Sequence, residues 1–135
     1  MPALNALAAA PLAGGTTIGD AVHVVHLYII EPHPQRPDPS PYSGVVWEGQ
    51  YSTKRQPRTY TERVAAARDM VPLVTGRQAI LVDDLTPGAN NPVWCTYGTC
   101  PNCAFLIRQD GTVDTVQTWL DASAMERAIR ALPGR

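Results

Sequence analysis

The chain has 135 residues, a length that fits one domain burying about two-thirds of the surface its unfolded form would expose. Eleven Lys and Arg against twelve Asp and Glu leave a formal charge of -1, so no basic excess points to a nucleic-acid backbone as partner. The opening "MPALNALAAAPLAGG" lacks the positive n-region of a secretory signal and is too short to span a bilayer, so the cytoplasm is the expected compartment and no membrane partner is expected.

Taken in order, Ala3 to Ala10 reads as a short helix of good formers, stopped by Pro11 and then by Gly14 and Gly15. "AVHVVHLYII", Ala21 to Ile30, is an almost continuous apolar and β-branched run, the pattern of a strand covered on both faces. His23 and His26 fall on opposite faces of it and read as core or edge residues. From Pro32 to Pro57 the sequence "PHPQRPDPSPYSGVVWEGQYSTKRQP" is crowded with prolines and turn formers and holds no long regular element. Irregular segments of that length in a compact domain are usually functional or mobile. Tyr42, Trp47 and Tyr51 in it either line an apolar pocket or anchor the loop.

"TYTER" supplies a capping box, with Thr59 as N-cap and Glu62 three residues on, and Val64, Ala67, Met70, Val71 and Val74 follow at helical spacing. Arg55, Arg58 and Arg63 form a basic cluster that suits a carboxylate or, equally, a solvated helix face. "AILVDD", Ala79 to Asp84, is a second strand of the buried type. Its terminal Asp83 and Asp84 read as turn caps ahead of an acid pair or metal ligands. Asn91 and Pro92 suit the start of a short helix that Gly98 ends. "AFLIRQ" and "TVDTVQTW" flank Asp110-Gly111, a hairpin signal. Ser123 with Glu126 repeats the capping box, and Met125, Ala128, Ile129 and Leu132 give a final helix its inward stripe. Helices between the first strands imply parallel pairing, and the hairpin adds an antiparallel pair: a single α/β domain over residues 1–135, with a Pro-rich loop at 32–57.

Three cysteines are an odd number, and in a reducing compartment they are expected as thiols, a catalytic disulfide or metal ligands. Cys100 and Cys103 are spaced to close a small disulfide ring, yet Cys103 leads into a strand, so no helix N-terminus lowers a thiol pKa there. Cys103 also suits a small buried hydrophobe at a strand start. Cys95, in the preceding short helix, is core filler or a resolving thiol. "CTYGTCPNC" with His23, His26 or His33 would make a Cys₃His set for a soft metal, but only half of a zinc signature is present, and neither metal nor cofactor is the leading expectation. His33 follows the end of a strand, where parallel sheets present their ligands, with Glu31 close enough to orient its ring.

Four stretches carry a family resemblance: "LYIIEPHP" (Leu27 to Pro34), "QPRTYTERVAAA" (Gln56 to Ala67), "ILVDDL" (Ile80 to Leu85) and "YGTCPNCAFLIRQDG" (Tyr97 to Gly111). In their order and spacing, Leu27 to Leu132 resembles the thioredoxin-like superfamily, specifically its bacterial iodothyronine deiodinase-like branch. The resemblance implies one mixed sheet, Pro101 as the cis-proline beside the active site, His33 as the active-site histidine, Glu31 as its acidic neighbour, and Arg58 near the substrate. The chemistry it implies is thiol-based reduction, as in dehalogenation or disulfide exchange.

In that family the nucleophile lies between a first, central strand and the helix that matches Pro2 to Ala10, a place before Met1 in this sequence. The gap would be closed by direct pairing of the flanking strands, by a strand from a partner, or by an earlier natural start. A homodimer through strand exchange or edge pairing is therefore expected. The resulting functional expectation is a thiol-dependent oxidoreductase acting on a small organic molecule or disulfide. Cys100 attacks, His33 handles the proton, Cys103 or Cys95 resolves, and Glu31, Arg58, Pro101 and Trp47 shape the groove. A non-catalytic binding or assembly module, or a Cys/His metal protein, is the alternative.

Overall fold

The computed structural model describes residues 1–47, 49, 53–88, 90–98 and 100–132. Among the described residues five α-helices and four strands follow one another: helices α1 (Pro2–Ala9) and α2 (Ile18–Ala21), strand β1 (Val24–Tyr28), α3 (Tyr60–Arg68), β2 (Gln78–Val82), α4 (Pro92–Tyr97), the hairpin β3 (Ala104–Ile107) and β4 (Val113–Gln117), and α5 (Ala122–Ala131). The loop from Pro32 to Pro57 carries no helix or strand among its described residues, as its prolines dictate.

Local signals place the helices. Proline opens α1 at a position where its missing N–H is no loss, and Leu7 and Ala8 face inward. Gly14 and Gly15 take left-handed φ of 80° and 81°, turning the chain back so that Thr17 bridges Pro11. Helix α2 is new relative to the sequence reading. A Thr17–Asp20 capping box starts it, it takes Ala21 from the head of the apolar run, and β1 covers only Val24–Tyr28, five residues instead of ten. For α3, Thr59 Oγ1 accepts from the Glu62 amide at 3.2 Å while Glu62 accepts from the Thr59 amide, the reciprocal box read from "TYTER".

Two helix expectations need correction. Helix α3 ends at Arg68, so Val71 lies outside it, 59 % exposed, and Arg63 joins Ala67 as the buried pair of α3. Helix α5 is capped by Asp121, whose Oδ1 accepts from the Ala124 amide at 2.9 Å, two residues before the Ser123 expected there. Glu126 instead pairs with Arg130 one turn on.

The class is mixed α/β, with a parallel pair, an antiparallel hairpin and helices. A single mixed sheet is not formed. β1 pairs with β2 in parallel, His26 opposite Ile80, and β3 pairs with β4 antiparallel around the Asp110-Gly111 turn, Phe105 opposite Val116. The two are separate two-stranded sheets, because no described strand lies between β1 and β3 and these two do not pair with each other. Each sheet is covered by its own helix, β2 by α3 and β3 by α5. The core centres on Leu7, Ile18, Leu106, Met125 and Ile129, where α1, α2, β3 and α5 meet. Asn5 on α1 ties this half to the other by donating to the Leu73 carbonyl and accepting from Thr75 and Gln78.

Candidate functional site

Parallel pairing sets the C-terminal ends of β1 and β2 on one rim, and the chain leaves that rim at Ile29–Glu31 and at Asp83–Asp84. At the first exit the Tyr28 hydroxyl donates to Glu31 Oε2 at 2.9 Å. Burial, with the Glu31 carboxylate beside it, pushes the Tyr28 phenol well above its ordinary value. Glu31 is held by its backbone as well: Gln56 donates to its carbonyl and accepts from its amide, both at 3.0 Å. Gln56 thus acts as a clamp that returns the end of the Pro-rich loop to its beginning.

The clamp continues into Asp38. Its carboxylate accepts from Arg55 Nε at 2.6 Å, Arg55 Nη2 at 3.1 Å, Arg58 Nη2 at 3.2 Å and the Gln56 amide at 3.1 Å. Those donors, Arg55 above all, hold the Asp38 carboxyl far below the usual carboxylate range. Asp38 went unremarked in the sequence, although it is the one acid between Glu31 and Glu48, set amid prolines and facing the Arg55–Arg58 segment. Arg58, the expected substrate contact, is spent on this ion pair while its side chain stays largely exposed. It borders a groove of about 720 Å³ lined also by Lys54, Arg55, Glu62 and Asp69. His33 and Trp47 meet in the same loop, ring centroids 4.8 Å apart and edge to face. Glu31, His33, Trp47 and Arg58 therefore belong to one loop system. Tyr51 lies outside the described residues.

At the second exit Asp83 is 1 % exposed. Its carboxylate accepts from the amides of Val93 and Trp94, each at 3.0 Å, and so caps the start of α4 from a distance. Asn91 occupies the N-cap position as read, but its side chain makes no cap bond. Arg63, taken with Arg55 and Arg58 as a cationic cluster, is also 1 % exposed and donates to the Asp83 carbonyl at 3.2 Å. Its Nε has no partner among the described residues. Asp84 accepts from the Thr86 amide and hydroxyl as a turn cap, which lowers its pKa.

Helix α4 leads to the sulfurs. Cys95 is exposed on it, its thiol 3.5 Å from the Asn90 carbonyl. Cys100 and Cys103 are joined as a disulfide with Cα atoms 5.3 Å apart. Pro101 stands in the turn this bond closes, and Asn102 then bridges Trp119. The cis-proline expected at Pro101 is not found there: among the described residues the cis peptide is Arg36–Pro37. With Pro101 inside the turn and two residues short of β3, it does not lie directly before a strand as the resemblance implied. Neither sulfur sits at a helix N-terminus, so neither thiol gains help from a helix dipole.

Two groups result, the loop system of Glu31, His33, Trp47 and Arg58, and the sulfurs of the α4–β3 segment. Tyr42 joins them, its ring packed edge to face on Trp94 of α4 with centroids 4.8 Å apart. Burial of that ring pushes the Tyr42 phenol up to about 12. Farther along, Tyr97 meets Phe105 in the same manner and seats α4 on β3. Among the described residues no three His, Cys, Asp or Glu side chains stand together as a metal-holding group, and no helix is long and apolar enough to cross a membrane. Compared with family models, curated proteins and solved structures, the chain matches none.

Proposed function

We propose that the chain is a thiol–disulfide oxidoreductase of thioredoxin-like type, working in a reducing compartment, with Cys100 and Cys103 as its couple. The observation that carries the reading is the bond between these sulfurs, in a turn whose Pro101 and Asn102 are exposed. In the reduced protein the Cys100 thiolate attacks one sulfur of a substrate disulfide, forming a mixed disulfide and expelling the other sulfur as a thiolate. Cys103 then attacks Cys100, releasing the second substrate thiolate and restoring the intramolecular bond. Two electrons pass from protein to substrate, and the two protein thiol protons end on the two product thiols. His33 relays one of them. Glu31, tied to Gln56 and Tyr28, keeps the start of its loop in place, and Trp47 gives the imidazole an apolar wall.

The test is disulfide reduction with purified variants. Cys100→Ser abolishes turnover and His33→Ala lowers it by about 100-fold, the scale of a lost general acid–base group. Full activity in both variants rules the mechanism out.

A second reading, a binding module without catalysis, is favoured by the absence of a helix N-terminus at either sulfur and by the bare apolar side chains of β1 and β4. Alkylation of the reduced protein separates the two. One fast cysteine at neutral pH belongs to the oxidoreductase, and uniformly slow sulfurs belong to the module.

A further inference from the structure

Among the described residues β1 has one partner strand, β2, and its other edge has none. Its carbonyl at Tyr28 accepts from the Asp83 amide at 2.9 Å, so Tyr28, and with it His26 and Val24 by the two-residue alternation of a strand, direct their backbone groups at β2. Val25 and Leu27 consequently aim their N–H and C=O away from β2, along an edge no described strand occupies. Their side chains share the face opposite buried His26 and are 50 % and 37 % exposed, next to Leu81 at 54 %. An uncharged edge that no described strand pairs is what natural proteins normally cover.

The chain as a whole also exposes more surface than its mass predicts. A folded chain of 14.6 kDa is expected to expose about 6,900 Å², whereas this one exposes 8581 Å². The excess, about 1,700 Å², is roughly twice one partner's share of a standard protein–protein interface. With a net charge of -1, two copies repel each other little.

We infer that two copies of this chain pair through the outer edges of β1, antiparallel, with the two-fold axis at His26. This register is the one that sets Val25 opposite Leu27 of the second copy and Leu27 opposite its Val25, in two hydrogen-bonded pairs with four N–H···O bonds. The product is a continuous four-stranded sheet in the order β2, β1, β1, β2. The same operation brings the apolar side chains of Val25 and Leu27 together on one face as cross-strand neighbours. The inference is independent of the redox reading.

Light scattering on the full chain at micromolar concentration tests it, with two double variants at positions exposed in the single chain. Val25→Glu with Leu27→Glu places like charges opposite each other and gives a monomer. Val25→Lys with Leu27→Glu places opposite charges across the same pairs and restores the dimer. A wild-type protein that is monomeric at 100 µM overturns the inference, as does a dimer that survives the double-glutamate change. If the variants fail to fold, hydrogen exchange on the wild type decides. Protection of the Val25 and Leu27 amides that rises with protein concentration supports the pairing. Protection independent of concentration means that the edge is free or is covered from within one chain, and overturns it.

Discussion

Asp38 is 8 % exposed and takes hydrogen bonds from Arg55, Arg58 and the Gln56 amide, so one carboxylate fixes the return of a loop more than twenty residues long. Its pKa is depressed in the folded chain, chiefly by the Arg55 hydrogen bonds. The direction of linkage follows: stability from this group is fully present above the unfolded-state value of about 4 and is lost as pH falls toward the depressed folded value. Asp38→Asn is therefore less stable than the parent at pH 7, and the gap between the two narrows as pH is taken from 5 to 3. Urea midpoints read by tryptophan fluorescence check this; a gap that stays constant across that range contradicts it. His33 and Glu31 were readable as site candidates because they follow a strand end. Asp38 and Gln56 were not, since their importance arises only when residues about twenty positions apart fold against one another.

At the scale of elements, α4 shows how a short helix is held. Six residues provide little helical stability of their own. Asp83, at the end of β2, satisfies two of the amides that the start of a helix leaves without partners, and Tyr42 packs on Trp94 from the loop side. Asp83→Ala orphans those amides and the Asp84 amide and is expected to lower unfolding free energy by about 1 to 3 kcal/mol. Asp83→Asn, which keeps an acceptor oxygen, loses less. Equal urea midpoints for Asp83→Ala and the parent remove the capping role. The Thr59–Glu62 capping box, the Pro92 start, the Gly98 stop and the Asp110-Gly111 hairpin were legible, because each is written within a few neighbouring residues. The Ser123 cap misplaced by two and the unforeseen α2 fail for a related reason: two plausible caps lie close together in the sequence, and only packing of Ile18, fully buried, selects one at the N-terminal end.

For the molecule as a whole, the class was legible and the sheet was not. Strand pairing joins positions more than fifty residues apart, as in Val24 with Gln78, and periodicity says which face is apolar without saying which edge meets which. The same non-locality applies to the Tyr42–Trp94 contact that links the loop system to the sulfur-bearing segment. The proposed reaction requires Cys100 and Cys103 to act as one two-electron couple, with Cys95, exposed on α4, outside it. The direct measurement is to reduce the protein fully, remove the reductant, add one equivalent of a small aromatic disulfide, quench with iodoacetamide over time, and identify each cysteine by mass. The expected result is a transient mixed disulfide on Cys100, then joint disappearance of free Cys100 and Cys103 while Cys95 remains alkylated throughout. Capture at Cys95 first, with Cys100 and Cys103 still alkylated as separate thiols, contradicts it.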